Sequence, residues 1–203
     1  MKHPSVILRS AIRPIIFRPA PVLAVGDGTT LRSLKPEHTD RLYELIEENR
    51  SYLQNWLSWI SRIQNHSDCY RFLLHVNYRS IYDGRWVYGI WHEEQLVGLL
   101  DFNEPNARLQ QISLGYWLGE EYQGQGIVTG CVSACIDYLF TIHNVSRIII
   151  KCATDNRRSQ AVAQRLNFDW EGLEYQAGEV SGRMVDLNVF VKHKQRWREE
   201  RGK

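Results

Sequence analysis

A glycine-rich segment between a predicted strand and a predicted helix has the composition of an anion-binding turn. It contains Gly119, Gly124 and Gly126, and glycine lets the backbone adopt positive φ and approach a ligand closely. The first N–H groups of the following helix have no partner inside that helix, and the helix dipole places positive charge there. Such a turn can hold a phosphate group, although a plain strand-to-helix connection would also fit this composition.

The glycine spacing separates this turn from two other phosphate-binding turns. It lacks the Gly-Lys-Ser/Thr ending of the Walker A loop and the three-glycine spacing of the Rossmann fingerprint. Because no motif lysine or magnesium site accompanies it, the turn argues against ATP hydrolysis. It favours a diphosphate-bearing cofactor held mainly by backbone amides.

A second polar motif follows the next predicted strand. Asn156 and Ser159 stand three residues apart at the start of a predicted short helix, after the nearly all-apolar run Arg147–Ala153. Such a run is typical of a buried central strand. Asp155 or Asn156 can cap the short helix by accepting from a first-turn N–H, and on composition alone capping would explain both motif residues.

Hydrophobic periodicity predicts the elements that position these two motifs. Their order is strand, helices, hairpin, strand, helix, strand, helix, strand, strand, which predicts a mixed α/β (α+β) fold with helices on the faces of a mixed sheet. The predicted strands are 30–34, 86–91, 96–102, 111–118, 147–153, 168–174 and 184–191. The predicted helices are 36–49, an aromatic segment at 52–60, 67–82, 126–143 and 156–166.

Composition excludes several classes of protein. A net charge of +2 over 203 residues is too balanced for bulk nucleic-acid binding. The absence of an 18-residue apolar run argues against a membrane span, and basic residues interrupt every apolar run near the N-terminus, which argues against a signal peptide. The four cysteines form no CxxC pair, which favours a reducing, cytoplasmic location and no metal site.

Three segments of different character divide the chain. Residues 1–25 carry basic but no acidic side chains and are interpreted as an extended arm or a mobile terminus. Residues 26–195 form one predicted domain. Residues 196–203 are a charged tail, and fraying is expected from about Lys192 onwards.

The two motifs and their surroundings, from about Thr30 to Val191, resemble the Gcn5-related N-acetyltransferase (GNAT) family. That family's signature is Arg/Gln-x-x-Gly-x-Gly/Ala, and here Gly124 and Gly126 occupy the glycine positions while Glu121 replaces the first residue. The departure matters little if backbone amides carry the binding.

Further segments narrow the resemblance to the RimJ/RimL branch, which acetylates protein N-termini. They are Gly115–Leu118, Gly124–Thr129 and Lys151–Ser159, together with Glu171-Gly172. Trp56-Leu57-Ser58-Trp59 is also similar to the Trp-Leu-Pro-Trp that this branch has near its acceptor site.

The resemblance implies a GNAT fold: a central, mostly antiparallel sheet of about six to seven strands with a V-shaped splay between the fourth and fifth. It implies acetyl-CoA as cofactor and no metal, with the pantetheine arm pairing with the backbone of the fourth strand. The implied cofactor-binding residues are Tyr116, Trp117, Leu118, Gln123, Gly124, Gln125, Gly126, Ile127, Val128, Thr129, Asn156 and Ser159. The side chain of Trp117 is expected to pack in the core.

The implied reaction is direct attack of a neutral amine on the thioester. By resemblance, Ser159 would donate a hydrogen bond to the departing sulfur. Glu179 is the first candidate for the base, because the family's glutamate aligns with its neighbour Gly178; the other candidates are Glu174, Asp101, Glu104 and His92. Each carboxylate could equally be a solvated surface group. Cys152 is interpreted as a wall of the pocket rather than a nucleophile.

The acceptor stays open between three hypotheses. The first is a protein N-terminal α-amine, for example of a ribosomal protein, whose pKa of about 7.7–8 demands less help from a base than a lysine does. The second is a small amine such as a polyamine, an aminoglycoside or an amino acid, and the third is a non-catalytic acyl-CoA sensor. The predicted acceptor-binding residues are Trp56, Trp59, Asp101 and Asn103. A homodimer is compatible with all three.

Overall fold

The structure is a computed structural model that describes residues 21–82 and 85–202, without the side chains of residues 80–82. Most of the predicted arm, residues 1–25, therefore lies outside the described residues. The division of the chain at residues 25 and 195 stays a prediction.

One mixed sheet runs through the described residues. Its strands are β1 Leu23–Gly26, β2 Thr29–Ser33, β3 Val87–His92, β4 Gln95–Asn106, β5 Gln111–Leu118, β6 Arg147–Ala153, β7 Asp169–Val180 and β8 Arg183–His193. Their order is β1-β2-β3-β4-β5-β6-β8-β7, and every neighbouring pair is antiparallel except β5 and β6. The predicted mixed, mostly antiparallel sheet is thus confirmed, with eight strands instead of six to seven.

Five α-helices accompany the sheet in the described part of the chain. They are α1 Thr39–Leu53, α2 His66–Tyr82, α3 Ile127–Ile142, α4 Arg157–Arg165 and α5 Lys194–Arg201, and 3₁₀ turns occupy Pro36–His38, Ser58–Arg62 and Glu120–Tyr122. The predicted aromatic segment at 52–60 is not one helix: α1 ends at Leu53, and the 3₁₀ turn begins five residues later.

The C-terminal segment is also more ordered than its charge suggested. Lys192 is buried within β8, where its Nζ donates to the carbonyl of Leu166 at 2.9 Å and lies 2.6 Å from Glu200 of α5. Trp197 of α5 donates to Asp137 of α3 at 2.8 Å. The expected fraying from Lys192 was therefore wrong, because tertiary partners hold these polar side chains.

Parallel pairing between β5 and β6 is short, and this creates a cleft. The two strands pair only from Gln111 opposite Arg147 to Ser113 opposite Ile149. Beyond that point β5 pairs only with β4, as far as Leu118, while β6 pairs only with β8, as far as Ala153. The predicted V-shaped splay between the fourth and fifth predicted strands is thus confirmed between β5 and β6, and its open end lies at their carboxyl ends.

Two apolar cores cover opposite faces of the sheet. The larger contains the inward residues of α3 and α4 with Phe102, Leu114 and Ile150. The smaller joins α1 and α2 to Leu99 and Trp117. Since neighbouring strand residues point to opposite faces, the splay is open to two different environments: a cofactor side, facing α3 and α4, and an acceptor side, facing α1 and α2.

Candidate active site

The glycine turn reaches the open end of the splay and leads directly into α3. Gly124 and Gly126 have φ values of +78° and +82°, a region that non-glycine residues rarely adopt. A Cβ at either position would meet no other protein atom within 4 Å. The turn therefore has both the backbone conformation that requires glycine and free space beside it for a ligand.

The start of α3 has the properties of an anion site. Gly126 is the N-cap, and no side chain of the described residues caps the first turn. The first backbone N–H groups of a helix have no intrahelical partner, so those of Ile127, Val128 and Thr129 are available to phosphate oxygens. These observations fit the binding of the diphosphate of acetyl-CoA. When bound, this cofactor would supply an activated acetyl thioester.

Two side chains of the glycine turn, Glu121 and Gln123, differ in their surroundings. Glu121 is exposed on the 3₁₀ turn, so its departure from the family pattern leaves the amides accessible. Gln123 bridges the mouth of the splay: its amide donates to the carbonyl of Leu118 at 3.2 Å and accepts from Arg158 of α4 at 2.5 Å. The Leu118 carbonyl also accepts from Tyr52 at 2.9 Å, so this carbonyl is already occupied by the protein.

A phenol and a hydroxyl meet on the cofactor side of the splay. Tyr116 of β5 donates to the carbonyl of Ser159 at 3.0 Å, and Ser159 Oγ donates to the Tyr116 hydroxyl at 3.1 Å. Asn156 caps α4 by accepting from the Ser159 N–H at 3.1 Å. The predicted cap is thus confirmed, and the Tyr116 side chain, expected to contribute only its backbone, joins the site.

Cys152 lies beside this pair but lacks the environment of a nucleophile. It is buried at the end of β6, and burial raises the pKa of its thiol to about 11, which a hydrogen bond with Ser159 only partly offsets. At neutral pH the thiol is almost wholly protonated, whereas the thiolate is the reactive form. Cys152 is therefore a wall of the cleft, as the sequence predicts.

The acceptor side of the splay carries a polar floor beyond Leu99 and Trp117. Asp101 and Asn103 point to this side, and the Asn103 amide donates to the Asp101 carboxylate. Exclusion of water around Asp101 raises the pKa of its carboxyl, and the bond from Asn103 opposes that shift. The structure thus brings together two of the four predicted acceptor-binding residues.

A separate charged cluster lies next to that floor. Lys151 of β6 is 3.0 Å from Glu174 of β7 and 3.9 Å from Glu104 of β4, and Glu104 also accepts from Ser113 at 3.2 Å. Two of the candidate bases, Glu104 and Glu174, are consequently engaged with a lysine.

The remaining candidate bases belong to β3 and β7. His92 ends β3, two strands from β5, where its ring bonds Thr29 at 2.8 Å. Glu179 is exposed near the tip of the β7–β8 hairpin and makes no ion pair with any described residue. Ser181, in the turn between β7 and β8, donates to the carbonyl of Gln54 at 2.9 Å. The hairpin tip therefore contacts the segment that follows α1.

The two predicted acceptor-binding tryptophans have different surroundings. Trp59 stacks on Phe72 of α2, with ring centroids 5.0 Å apart and planes 2° from parallel. Trp56 lies half-buried in the turn after α1. Trp59 therefore has a packing role within the helical layer, and both side chains are half-buried.

The splayed sheet, the uncapped helix start behind a glycine turn, and a hydroxyl pair at the cleft define an acyl-CoA-dependent acyltransferase. A profile of the acetyltransferase (GNAT) domain matches residues 29–169. The chain is 30% identical to the ribosomal-protein-serine acetyltransferase of Escherichia coli K12 over 171 residues, which cover 84% of this chain and 95% of that protein. The chain belongs to the GNAT acetyltransferase family.

Solved structures give the same result. A RimL ribosomal L7/L12 α-N-protein acetyltransferase in complex with coenzyme A has a TM-score of 0.82 and 27% identity, covering 85% of this chain and 98% of its own. The microcin C7 self-immunity acetyltransferase MccE, in complex with acetyl-CoA and AMP, has a TM-score of 0.80 and 28% identity, covering 83% of this chain and 94% of its own. The protein is an acetyl-CoA-dependent N-acetyltransferase.

Two further observations concern the described residues alone. They contain no cluster of three or more side chains that could hold a metal ion. None of their helices combines the length and the apolar character needed to span a membrane.

Proposed function

We propose that this enzyme transfers acetyl to the N-terminal α-amine of a protein, such as a ribosomal protein, in the cytoplasm. The observation that carries the proposal is the charge of the acceptor side. Lys151 is shared between Glu104 and Glu174, whereas Asp101 has no cationic partner among the described residues. Of these three carboxylates Asp101 is the one without a lysine partner, which suits an acceptor whose single ammonium group binds there, whereas a polyamine carries several such groups.

The relatives support the same acceptor. The E. coli relative is named for a ribosomal-protein serine, and the RimL structure for the α-amine of L7/L12. We propose that Asp101 and Asn103 bind the ammonium group, and that the Trp56 segment and the β7–β8 hairpin tip form the walls through which the peptide enters. Homodimer formation and the lack of nucleic-acid binding stay predictions.

A panel of amines tests the proposed acceptor. At pH 7 we expect kcat/KM to be at least about tenfold higher for a Ser-initiated peptide than for the Nα-blocked peptide with one free lysine. The reason is that an α-amine, with a pKa of about 7.7–8, is neutral far more often than a lysine with a pKa of about 10.4. Release of free CoA thiol provides the measurement.

Spermidine and an AMP derivative that carries a free amine complete the panel, since MccE was solved with AMP. If either is preferred to the peptide, the acceptor is a small molecule. If none of the amines is turned over despite tight binding of CoA, the proposed acceptor is wrong.

Ser159 tests the role of the hydroxyl pair. We expect Ser159→Ala to lower kcat about tenfold, because the leaving sulfur loses a donor worth about 1.4 kcal/mol. The dissociation constant of CoA should change less than twofold, since the Ser159 backbone N–H still bonds Asn156.

Further variants serve as comparisons for Ser159→Ala. Tyr116→Phe removes the other hydroxyl of the pair, and the double variant shows whether the two act as one unit. Ser133→Ala on α3 controls for serine removal in general. An unchanged kcat in Ser159→Ala would mean that Ser159 only takes part in the cap of α4.

A further inference from the structure

The carboxylate of Asp101 lies over the backbone of β5 close to the closed end of the splay. Asp101 is directly opposite Gly115, two residues beyond Ser113, the last residue of β5 that pairs with β6. A Cβ at Gly115 would lie 2.2 Å from Asp101 Oδ1. The missing side chain at Gly115 therefore makes the space that the carboxylate occupies.

The position of Asp101 relates directly to the proposed path of the cofactor. With the diphosphate at the start of α3, the pantetheine arm would run back along β5 from Leu118. Gly115 is three residues, or about 10 Å, from Leu118 along the strand. The thioester end would consequently arrive near Gly115, with Tyr116 and Ser159 on the cofactor side and Asp101 on the acceptor side.

The surroundings of Asp101 leave its charge uncompensated. It is only partly exposed, and exclusion of water raises the pKa of its carboxyl, while its bonds with Asn103 and with its own backbone oppose the shift. Its strand partners, Val87 of β3 and Gly115 of β5, carry no charge. Glu104, Lys151 and Glu174 form the neighbouring cluster, but none of them is a cause of the shift.

We propose that Asp101 is the general base of the reaction, a role for which the family resemblance makes Glu179 the first candidate. Its carboxylate takes one proton from the acceptor ammonium and leaves a neutral amine. The amine nitrogen then bonds to the thioester carbonyl carbon, the C–S bond breaks, the second amine proton goes to the departing sulfur, and Asp101 returns its proton to solvent. The assignment rests on the proposed transfer of acetyl to an amine bound on the acceptor side.

Asp101→Asn tests the assignment, because asparagine keeps the shape and can still accept the bond from Asn103. At pH 7 we expect kcat for the Ser-initiated peptide to fall about tenfold or more, since general base catalysis contributes on the order of 10²–10⁴-fold and part of the α-amine is already neutral. The deficit should shrink at pH 9, where the amine loses its proton unaided. The dissociation constant of CoA should stay within twofold.

Thermal unfolding separates a catalytic carboxylate from a structural one. When folding raises the pKa of a carboxyl, the folded state loses stability as the pH rises from the ordinary pKa to the raised one. The raised pKa of Asp101 therefore lowers the stability of the folded state at neutral pH. We therefore expect Asp101→Asn to have a Tm at pH 7 equal to or above that of the wild type. A lower Tm together with weaker CoA binding would mean that Asp101 holds the strands and would overturn the proposal.

The matched control is Asp27→Asn, in the turn between β1 and β2. Asp27 is exposed with φ +48°, a conformation that asparagine also tolerates, so this variant should keep wild-type kinetics. If Asp101→Asn raises KM for the peptide but keeps kcat and its pH profile, Asp101 only binds the ammonium group and the base assignment is wrong.

Gly115→Ala provides a second variant, which keeps the carboxylate but displaces it. The 2.2 Å approach to Oδ1 forces Asp101 to rotate, and we expect kcat to fall at least threefold with CoA affinity retained. A wild-type kcat in this variant would contradict the assignment.

The acceptor and the base are tested separately. The wild-type panel identifies the amine that is turned over, and Asp101→Asn is then measured with that amine. If spermidine replaces the peptide, the proposed acceptor fails; a fall in kcat with spermidine would still support Asp101 as the base, and an unchanged kcat would overturn it.

Discussion

Gly126→Val is expected to weaken the binding of acetyl-CoA by about 100-fold. Gly126 has φ +82° and forms the N-cap of α3, and a β-branched side chain is strained in this region. The valine would also occupy the free space beside the N–H groups of Ile127 and Val128. Loss of two hydrogen bonds to a charged phosphate, each worth about 1.5–3 kcal/mol, gives about 3 kcal/mol, or about 100-fold.

Gly28→Val is the matched control for backbone strain. Gly28 has φ +71° in the turn between β1 and β2, so valine is strained there too, by about 1–3 kcal/mol. Calorimetric titration with CoA should show normal affinity in Gly28→Val and the large loss in Gly126→Val. Equal affinities in the two variants would show that the diphosphate does not lie at the start of α3.

The strands beside the splay are the part of the fold that the sequence predicts best. The ranges predicted for β5 and β6 agree with the structure residue for residue, because each is a mostly apolar stretch that follows a polar loop. The short strand β1 was not predicted: it has four residues, alternating between partly buried and exposed, and its pairing with β2 is what defines it.

Local periodicity fails where distant partners decide the conformation. The aromatic segment after α1 has helical spacing, but Trp59 stacks on Phe72 of α2, and the chain adopts a 3₁₀ turn instead of a continuous helix. Lys192 is polar in sequence and buried in space, since the carbonyl of Leu166 and the carboxylate of Glu200 surround its ammonium group.

Some features of the candidate site depend on sequence neighbours, and others depend on residues that are distant in sequence. The glycine turn and the Asn156 cap follow from residues that are neighbours in sequence, so the sequence predicts both. The bond between Tyr116 and Ser159 joins residues 43 positions apart, and Asp101 faces Gly115 only through the register of β4 and β5. That register cannot be read from the sequence, so the sequence alone does not place Gly115 against Asp101.

Trp117→Ala is expected to lower the free energy of unfolding by about 3–5 kcal/mol, the usual cost of deleting a buried tryptophan. Trp117 is only 7% exposed and packs in the core between the sheet and the helices α1 and α2. Trp117 also lies in the part of β5 that does not pair with β6. Its packing therefore fixes the strand along which the pantetheine arm is proposed to lie. Urea unfolding monitored by circular dichroism measures the loss.

Trp117→Phe is the decisive companion, because the two variants separate packing from hydrogen bonding. The Trp117 indole N–H is buried and has no hydrogen-bond partner among the described residues, and such a group costs about 1–3 kcal/mol. Phenylalanine keeps most of the apolar contact and removes the unpaired donor, so Trp117→Phe should lose less than half of what Trp117→Ala loses. Equal losses would mean that the indole N–H has a partner that stabilises β5, and that Trp117 contributes to the cleft through a polar contact as well as through packing.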